Sequence, residues 1–155
     1  MKGDEKVINV LNTQLADELT AINQYIVHSE MCSNWGYMNL HDVVEKRAIQ
    51  EMKHAEMLIA RILFLEGKPV VSALNKINIG ADVKSQLEND CAAETDAIKT
   101  YNEAIKLARD LGDNGSRELL ISILKDEEDH LDWLEAQLDQ IAQMGIQNYL
   151  VEQVG

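Results

Sequence analysis

An all-α four-helix bundle, with a long crossover between helices 2 and 3 and a short C-terminal fifth helix, is the fold this sequence predicts, on three observations. The chain is poor in breakers and rings, with 8 Gly, 1 Pro and 5% aromatic residues, and rich in Leu, Ile, Ala, Glu, Asp, Lys and Gln. Four long stretches repeat apolar residues every three or four positions. The breaks between them run short, long, short, the order of two hairpins joined lengthwise. At 155 residues the chain has room for one core, so residues 1–155 are expected to form a single domain.

The first helix is expected over about Asp4–Asn34, where Val7, Leu11, Leu15, Leu19, Ile22 and Ile26 share a face, ending near Trp35-Gly36. The second covers about Leu40–Glu66 and stops at Gly67-Lys68-Pro69, where the glycine is expected to take the left-handed closing conformation. Some sixteen residues, Gly67 to Asp82, are too many for a tight turn and must cross the bundle. The third helix, about Val83–Leu111, has Asp82 as its cap. Gly112-Asp113-Asn114-Gly115 separates it from the fourth, about Ser116–Met144, with Ser116 the expected cap. After Gly145 the apolar tail Ile146–Val154 is expected to form the fifth, short helix.

A formal charge of −13, from 27 Asp+Glu against 14 Lys+Arg, repels phosphates and anionic lipid heads and attracts cations. Neither a nucleic acid nor a membrane is expected as a partner. There is no apolar run of 18 residues, and Met1-Lys2-Gly3-Asp4-Glu5-Lys6 has no secretion-signal core, so a cytoplasmic location is expected. Cys32 and Cys91 stand alone and read as reduced, packed thiols.

The two hairpins repeat one another. A shift of 76 residues carries Ala16, Glu18, Ala21, Ile22 and Tyr25 onto Ala92, Glu94, Ala97, Ile98 and Tyr101, and Glu51 and His54 onto Glu127 and His130. Two Glu-x-x-His segments, Glu51-Met52-Lys53-His54 and Glu127-Glu128-Asp129-His130, therefore occupy matching places. Three residues of helix leave the Glu and the His about 60° apart and one turn along, close enough to converge on one point. One such pair is commonplace on a solvated helix. Here Glu18 precedes Glu51 by 33 residues and Glu94 precedes Glu127 by the same 33, so each hairpin offers Glu plus Glu-x-x-His at one level.

Glu18 lies among Leu15, Leu19 and Ile22, and Glu94 beside Ala93 and Ala97, on or beside faces expected to pack inward. Four ionised carboxylates there would repel one another and lack solvation unless cations neutralised them, and two divalent ions balance four such charges. The pattern matches that of di-iron carboxylate bundles. Oxygen and imidazole donors suit iron or manganese, and six ligands exceed what one tetrahedral zinc needs.

On these motifs the whole chain, all four helices and the tail, resembles the bacterioferritins, the haem-containing branch of the ferritin family. The resemblance implies a ferritin-like domain whose ferroxidase ligands are Glu18, Glu51, His54, Glu94, Glu127 and His130. Glu51 and Glu127 would bridge two irons; Glu18 with His54, and Glu94 with His130, would complete one each. Met52 points about 100° away from Glu51 around the helix. By resemblance it is an axial ligand to a haem b shared between two subunits, whereas Met31, Met38, Met57 and Met144 read as packing residues.

Tyr25, two turns beyond Glu18, either bonds a ligand carboxylate or donates an electron during oxygen reduction, or else is satisfied by some other neighbour. Tyr101 and Asp90 are weaker candidates of the same kind, and His28 and His41 read as surface or packing residues. Lys46 and Gln50 stand where some bacterioferritins carry a His and an Asp for an extra iron on the cavity wall, so that site is not expected. Asn34, Glu66, Asp132 and Asp139 are either a cation route between subunits or a solvated face.

The function implied is iron storage and detoxification. A homo-oligomeric 24-mer shell, built from dimers, takes up Fe²⁺, oxidises it with O₂ or H₂O₂ and holds Fe³⁺ as mineral, with haem-mediated release fed by a small ferredoxin. The alternative is a non-storage di-iron oxidoreductase that reduces peroxide; the Cys-x-x-Cys module common in such relatives is absent. A DNA-protecting mini-ferritin is disfavoured by the complete six-residue set in one chain and by the charge. A purely structural acidic bundle leaves the matched acids without a reason.

Overall fold

The computed structural model describes residues 1–155. It contains α1 (Glu5–Trp35), α2 (Met38–Phe64), α3 (Val83–Asp110), α4 (Asn114–Met144) and α5 (Ile146–Val151). Three of the four long helices begin at an aspartate cap, whereas α2 starts after Tyr37 without a side-chain cap. The Asp4 side chain accepts the Lys6 amide at 2.7 Å to open α1, and Asp82 and Ser85 form a reciprocal capping box on α3. α1 closes at Gly36, whose φ of 85° is the left-handed conformation that glycine enters without steric cost.

Two expected boundaries differ. The left-handed residue after α2 is Glu66, at φ 62°, not Gly67. Gly67 is needed for space instead, because a Cβ there would sit 2.7 Å from a methyl of Ile8. The cap of α4 is Asp113, whose carboxylate accepts the Ser116 amide at 2.9 Å, while Ser116 Oγ donates to the same carboxylate at 2.7 Å. Arg61 near the end of α2 donates to both residues, at 2.8 and 2.9 Å, and so fastens the start of α4 to the other hairpin.

α1 pairs with α2 and α3 with α4, and the hairpins meet mainly through α1 and α3 and more lightly through α2 and α4. The crossover between α2 and α3 lies along α1. Asn12 accepts the Val70 amide, Thr20 that of Asn75, Gln24 that of Asn78 and His28 that of Gly80, at 2.8 to 3.1 Å. These four residues fall on one stripe of α1 because they are separated by multiples of four. α5 is held by Tyr149, which is fully buried and donates to Gln137 at 2.7 Å. No helix is long and apolar enough to cross a membrane.

The apolar interior is split. One cluster gathers Val7, Leu11, Leu15, Leu58, Ile62 and Leu120, and another joins Cys32, Leu40, Val83, Leu134 and Ile141. The polar residues considered below occupy the level between them. Leu58 has no exposed surface, so Leu58→Ala is expected to cost about 2–5 kcal/mol, read as a lower denaturant midpoint.

Candidate metal centre

Halfway along the bundle, α1 supplies Glu18, α2 Glu51 and His54, α3 Glu94, and α4 Glu127 and His130. All six are buried. Their donor atoms form two overlapping groups, Glu18–Glu51–His54–Glu127 and Glu51–Glu94–Glu127–His130, within which the atoms lie no more than 4.8 Å apart. Glu51 and Glu127 belong to both groups. Each group holds, besides these two, one further Glu and one His.

His54 Nδ1 lies 3.1 Å from Glu127, 3.5 Å from Glu18 and 3.6 Å from Glu51, and His130 Nδ1 lies 3.0 Å from Glu51, 3.5 Å from Glu94 and 3.6 Å from Glu127. Close as these contacts are, their angles are not those of hydrogen bonds. Glu18 Oε2, Glu51 Oε1, His54 Nδ1, Glu94 Oε2, Glu127 Oε1 and His130 Nδ1 are all buried without a hydrogen-bond partner. Natural proteins leave few such atoms, because each costs about 1–3 kcal/mol. One orphan on each of six converging residues leaves a set of donors that could hold metal ions.

The electrostatics agree. Burial, and then the charge of neighbouring carboxylates, holds Glu51 and Glu94 well above the ordinary range, and burial also raises Glu18. Glu127 runs the other way: burial opposes its charge, but the close approach of the Glu94, His54 and Glu51 side chains holds its carboxyl below the ordinary value. For His54, burial disfavours the cation, yet the facing Glu127 and Glu18 outweigh it and push the imidazole up to about 10. Without metal, then, protons partly take the place of positive charge.

The outward atoms of these side chains are held by a second set of residues. Tyr25 donates to Glu94 and Tyr101 to Glu18, each reaching from one hairpin to the other. Burial, then the nearby carboxylates, raises both phenols well above the ordinary value, so they remain donors. Tyr25 therefore does bond a carboxylate of the centre, on the opposite hairpin and not on its own helix. Asp90 sits apart, accepting from Gln24 at 2.8 Å and meeting His28 Nδ1 at 2.9 Å, so His28 is a buried link in the crossover's anchorage. His41 contacts the Ser29 carbonyl at 2.8 Å.

Two contacts behind the histidines escaped the sequence reading, which did not name Asp126 and considered Gln50 only for a separate iron site. His54 Nε2 donates to Asp126 at 2.7 Å, and His130 Nε2 donates to Gln50 at 2.5 Å. Both acceptors precede a Glu-x-x-His glutamate by one residue, and the shift of 76 carries Gln50 onto Asp126, which was the available signal. By contrast, Met52 lies away from the cluster, 46% exposed, with Ile49 on the same face of α2 at 44%. A cleft of about 360 Å³, lined in part by Asp17, Gln24, Asn75 and Thr100, reaches Glu18, Glu51, Glu94 and Glu127 from the α1–α3 side.

Comparison with known proteins gives a consistent result. Residues 8–144 match the Ferritin-like domain family. Over 149 residues, 96% of this chain, the sequence is 43% identical to bacterioferritins of Brucella melitensis and Rhodobacter capsulatus, covering 92% of each. It is 40% identical over the same span to the bacterioferritin of Mycobacterium leprae, covering 94% of that protein.

Proposed function

Because this chain belongs to the bacterioferritins within the ferritin-like family, and so to proteins of iron storage, we propose that it is a ferroxidase whose site is the buried six-residue cluster. The observation that carries this reading is the set of six orphaned donor atoms converging from four helices. Ferrous ion is the substrate. Glu18, Glu51, His54, Glu94, Glu127 and His130 bind and orient two such ions, and their four carboxylates neutralise two divalent charges. A pair of ions supplies two electrons together, so O₂ is reduced to the level of peroxide, or H₂O₂ to water, without releasing a one-electron radical. Tyr25 and Tyr101 keep the terminal glutamates oriented by donating to them, and Tyr25 is also a candidate electron donor.

Oxidised iron then passes into a cavity enclosed by a 24-subunit shell of this chain in the cytoplasm, where a single domain spanning residues 1–155 forms each wall unit. The haem of this branch fits Met52: its thioether is the one methionine sulfur adjacent in sequence to a ligand glutamate, and it is exposed on a face of α2 that also exposes Ile49. An apolar strip of this kind suits a second subunit and a shared flat ring. When bound, the haem would carry electrons toward the stored mineral, supplied by a small ferredoxin. Met52→Leu is expected to abolish haem binding, read as loss of the Soret band, with the initial rate of Fe²⁺ oxidation unchanged.

Anaerobic Fe²⁺ titration of the metal-free protein followed by O₂ tests the whole reading. Two ions per chain bound before oxygen, and hundreds more per particle taken up after it, are expected. Saturation at two per chain with no further uptake would assign the protein to the peroxide-reducing, non-storage class instead.

A further inference from the structure

The two halves of the centre are related by the repeat in nearly every particular. Tyr25 of α1 reaches Glu94 of α3, and its counterpart Tyr101 of α3 reaches Glu18 of α1. In the same crossed manner, Asp126 of α4 accepts from His54 of α2, and its counterpart Gln50 of α2 accepts from His130 of α4. The symmetry of position is kept at this last pair, but the chemistry is not: one histidine leans on a carboxylate, the other on a neutral amide.

That difference acts on a metal through the imidazole. In both histidines the outward Nε2 faces an oxygen acceptor and so keeps its proton, and a metal that displaces any proton from Nδ1 meets that lone pair at the centre. A carboxylate accepting the Nε2 proton makes the ring a stronger donor and adds negative charge behind it, whereas an amide oxygen fixes the same tautomer without charge. The carbon chains on either side are otherwise alike, since Glu51 and Glu127 serve both halves and each terminal Glu has its tyrosine.

We propose that Asp126 is a positioning residue that makes the Glu18–His54 half of the centre the tighter of two unequal metal sites, the Glu94–His130 half being weaker because Gln50 stands in the matching place. The inference rests on the six-ligand reading above. Residues behind a metal-bound histidine typically change affinity by about 10–100-fold. With the Asp126 side chain 39% exposed and so partly screened, the difference between the halves should fall at the lower end, about 10-fold.

The test uses the assembled, iron-free protein and Co²⁺, which occupies the same donor set without being oxidised by air. With one Co²⁺ per chain, anomalous diffraction should show most of the metal beside His54, and a full titration followed by Co²⁺ absorption should resolve two steps. Asp126→Asn should weaken the first step about 10-fold and bring the two occupancies together, with Asp126→Glu restoring the difference. Gln50→Glu, which approaches the question from the other half and leaves Asp126 intact, should strengthen the second step. Equal occupancy in the unaltered protein, or a first step untouched by Asp126→Asn in a variant that melts normally, would overturn the proposal. Absence of Co²⁺ from both halves would instead remove the ligand reading, and the proposal with it.

Discussion

Glu94→Ala is expected to eliminate the fast phase of Fe²⁺ oxidation while leaving haem absorbance intact. Glu94 Oε2 is one of the six orphaned atoms, and Glu94 is the terminal carboxylate of the half completed by His130, whose Nδ1 lies 3.5 Å away. Its removal leaves three carboxylates to balance two divalent ions and takes away an oxygen from one of them. Changes one shell further out cost about 10–100-fold, so loss of a direct ligand should lower the initial rate by at least about 100-fold. The fold should survive. The cluster loses a carboxyl whose ionisation burial and its neighbours disfavour, and against that the Tyr25 hydroxyl loses its acceptor, at about 1–3 kcal/mol. Stopped-flow oxidation beside a melting curve separates the two effects. An initial rate within a few-fold of the unaltered protein would show that oxidation happens elsewhere.

How much of this was readable beforehand depends on the range of the interaction concerned. Helix positions follow from local periodicity, and the six cluster residues follow from a spacing of 33 that recurs in both hairpins, because a repeated spacing on antiparallel helices fixes a common level. Periodicity gives a level and a face but no partner across the bundle. Tyr25 was correctly suspected of bonding a carboxylate, yet which one is decided by packing between α1 and α3, 69 residues apart in sequence. The contacts of Asp126 and Gln50 were missed for a similar reason: their partners lie 72 and 80 residues away, and an acid or amide beside a Glu-x-x-His motif looks like any solvated residue. At the end of α2 the chain rule that glycine closes helices gave way to packing, since Gly67 is pressed against Ile8 and the left-handed turn moved to Glu66. His28 read as filler because nothing local announces that Gly80, 52 residues on, donates to it.

Metal-free protein should melt at a lower temperature at pH 8 than at pH 6, and Co²⁺ should abolish most of that difference. Burial raises the folded-state pKa values of Glu18, Glu51 and Glu94 above the ordinary carboxyl range, and the facing carboxylates, outweighing burial, raise His54 from 6.5 to about 10. A group raised on folding binds protons more tightly in the native state. Its contribution is complete below its unfolded value and is lost as pH climbs through its folded one; for His54 that range runs from 6.5 to about 10 and so spans pH 8, and the three glutamates change stability with the same sign. Glu127, lowered on folding, contributes above its unfolded value and loses that contribution only on acidification, below this window. Divalent metal opposes the trend because it binds the deprotonated ligands, replacing protons with charge that does not titrate. At a free concentration about 100 times the dissociation constant each ion adds about 2.7 kcal/mol, so two should raise the melting temperature by about 10–20 °C, more at pH 8 than at pH 6. A metal-free melting temperature that rises with pH, or a metal increment that is the same at both values, would mean that the buried carboxylates are not the groups the cations neutralise.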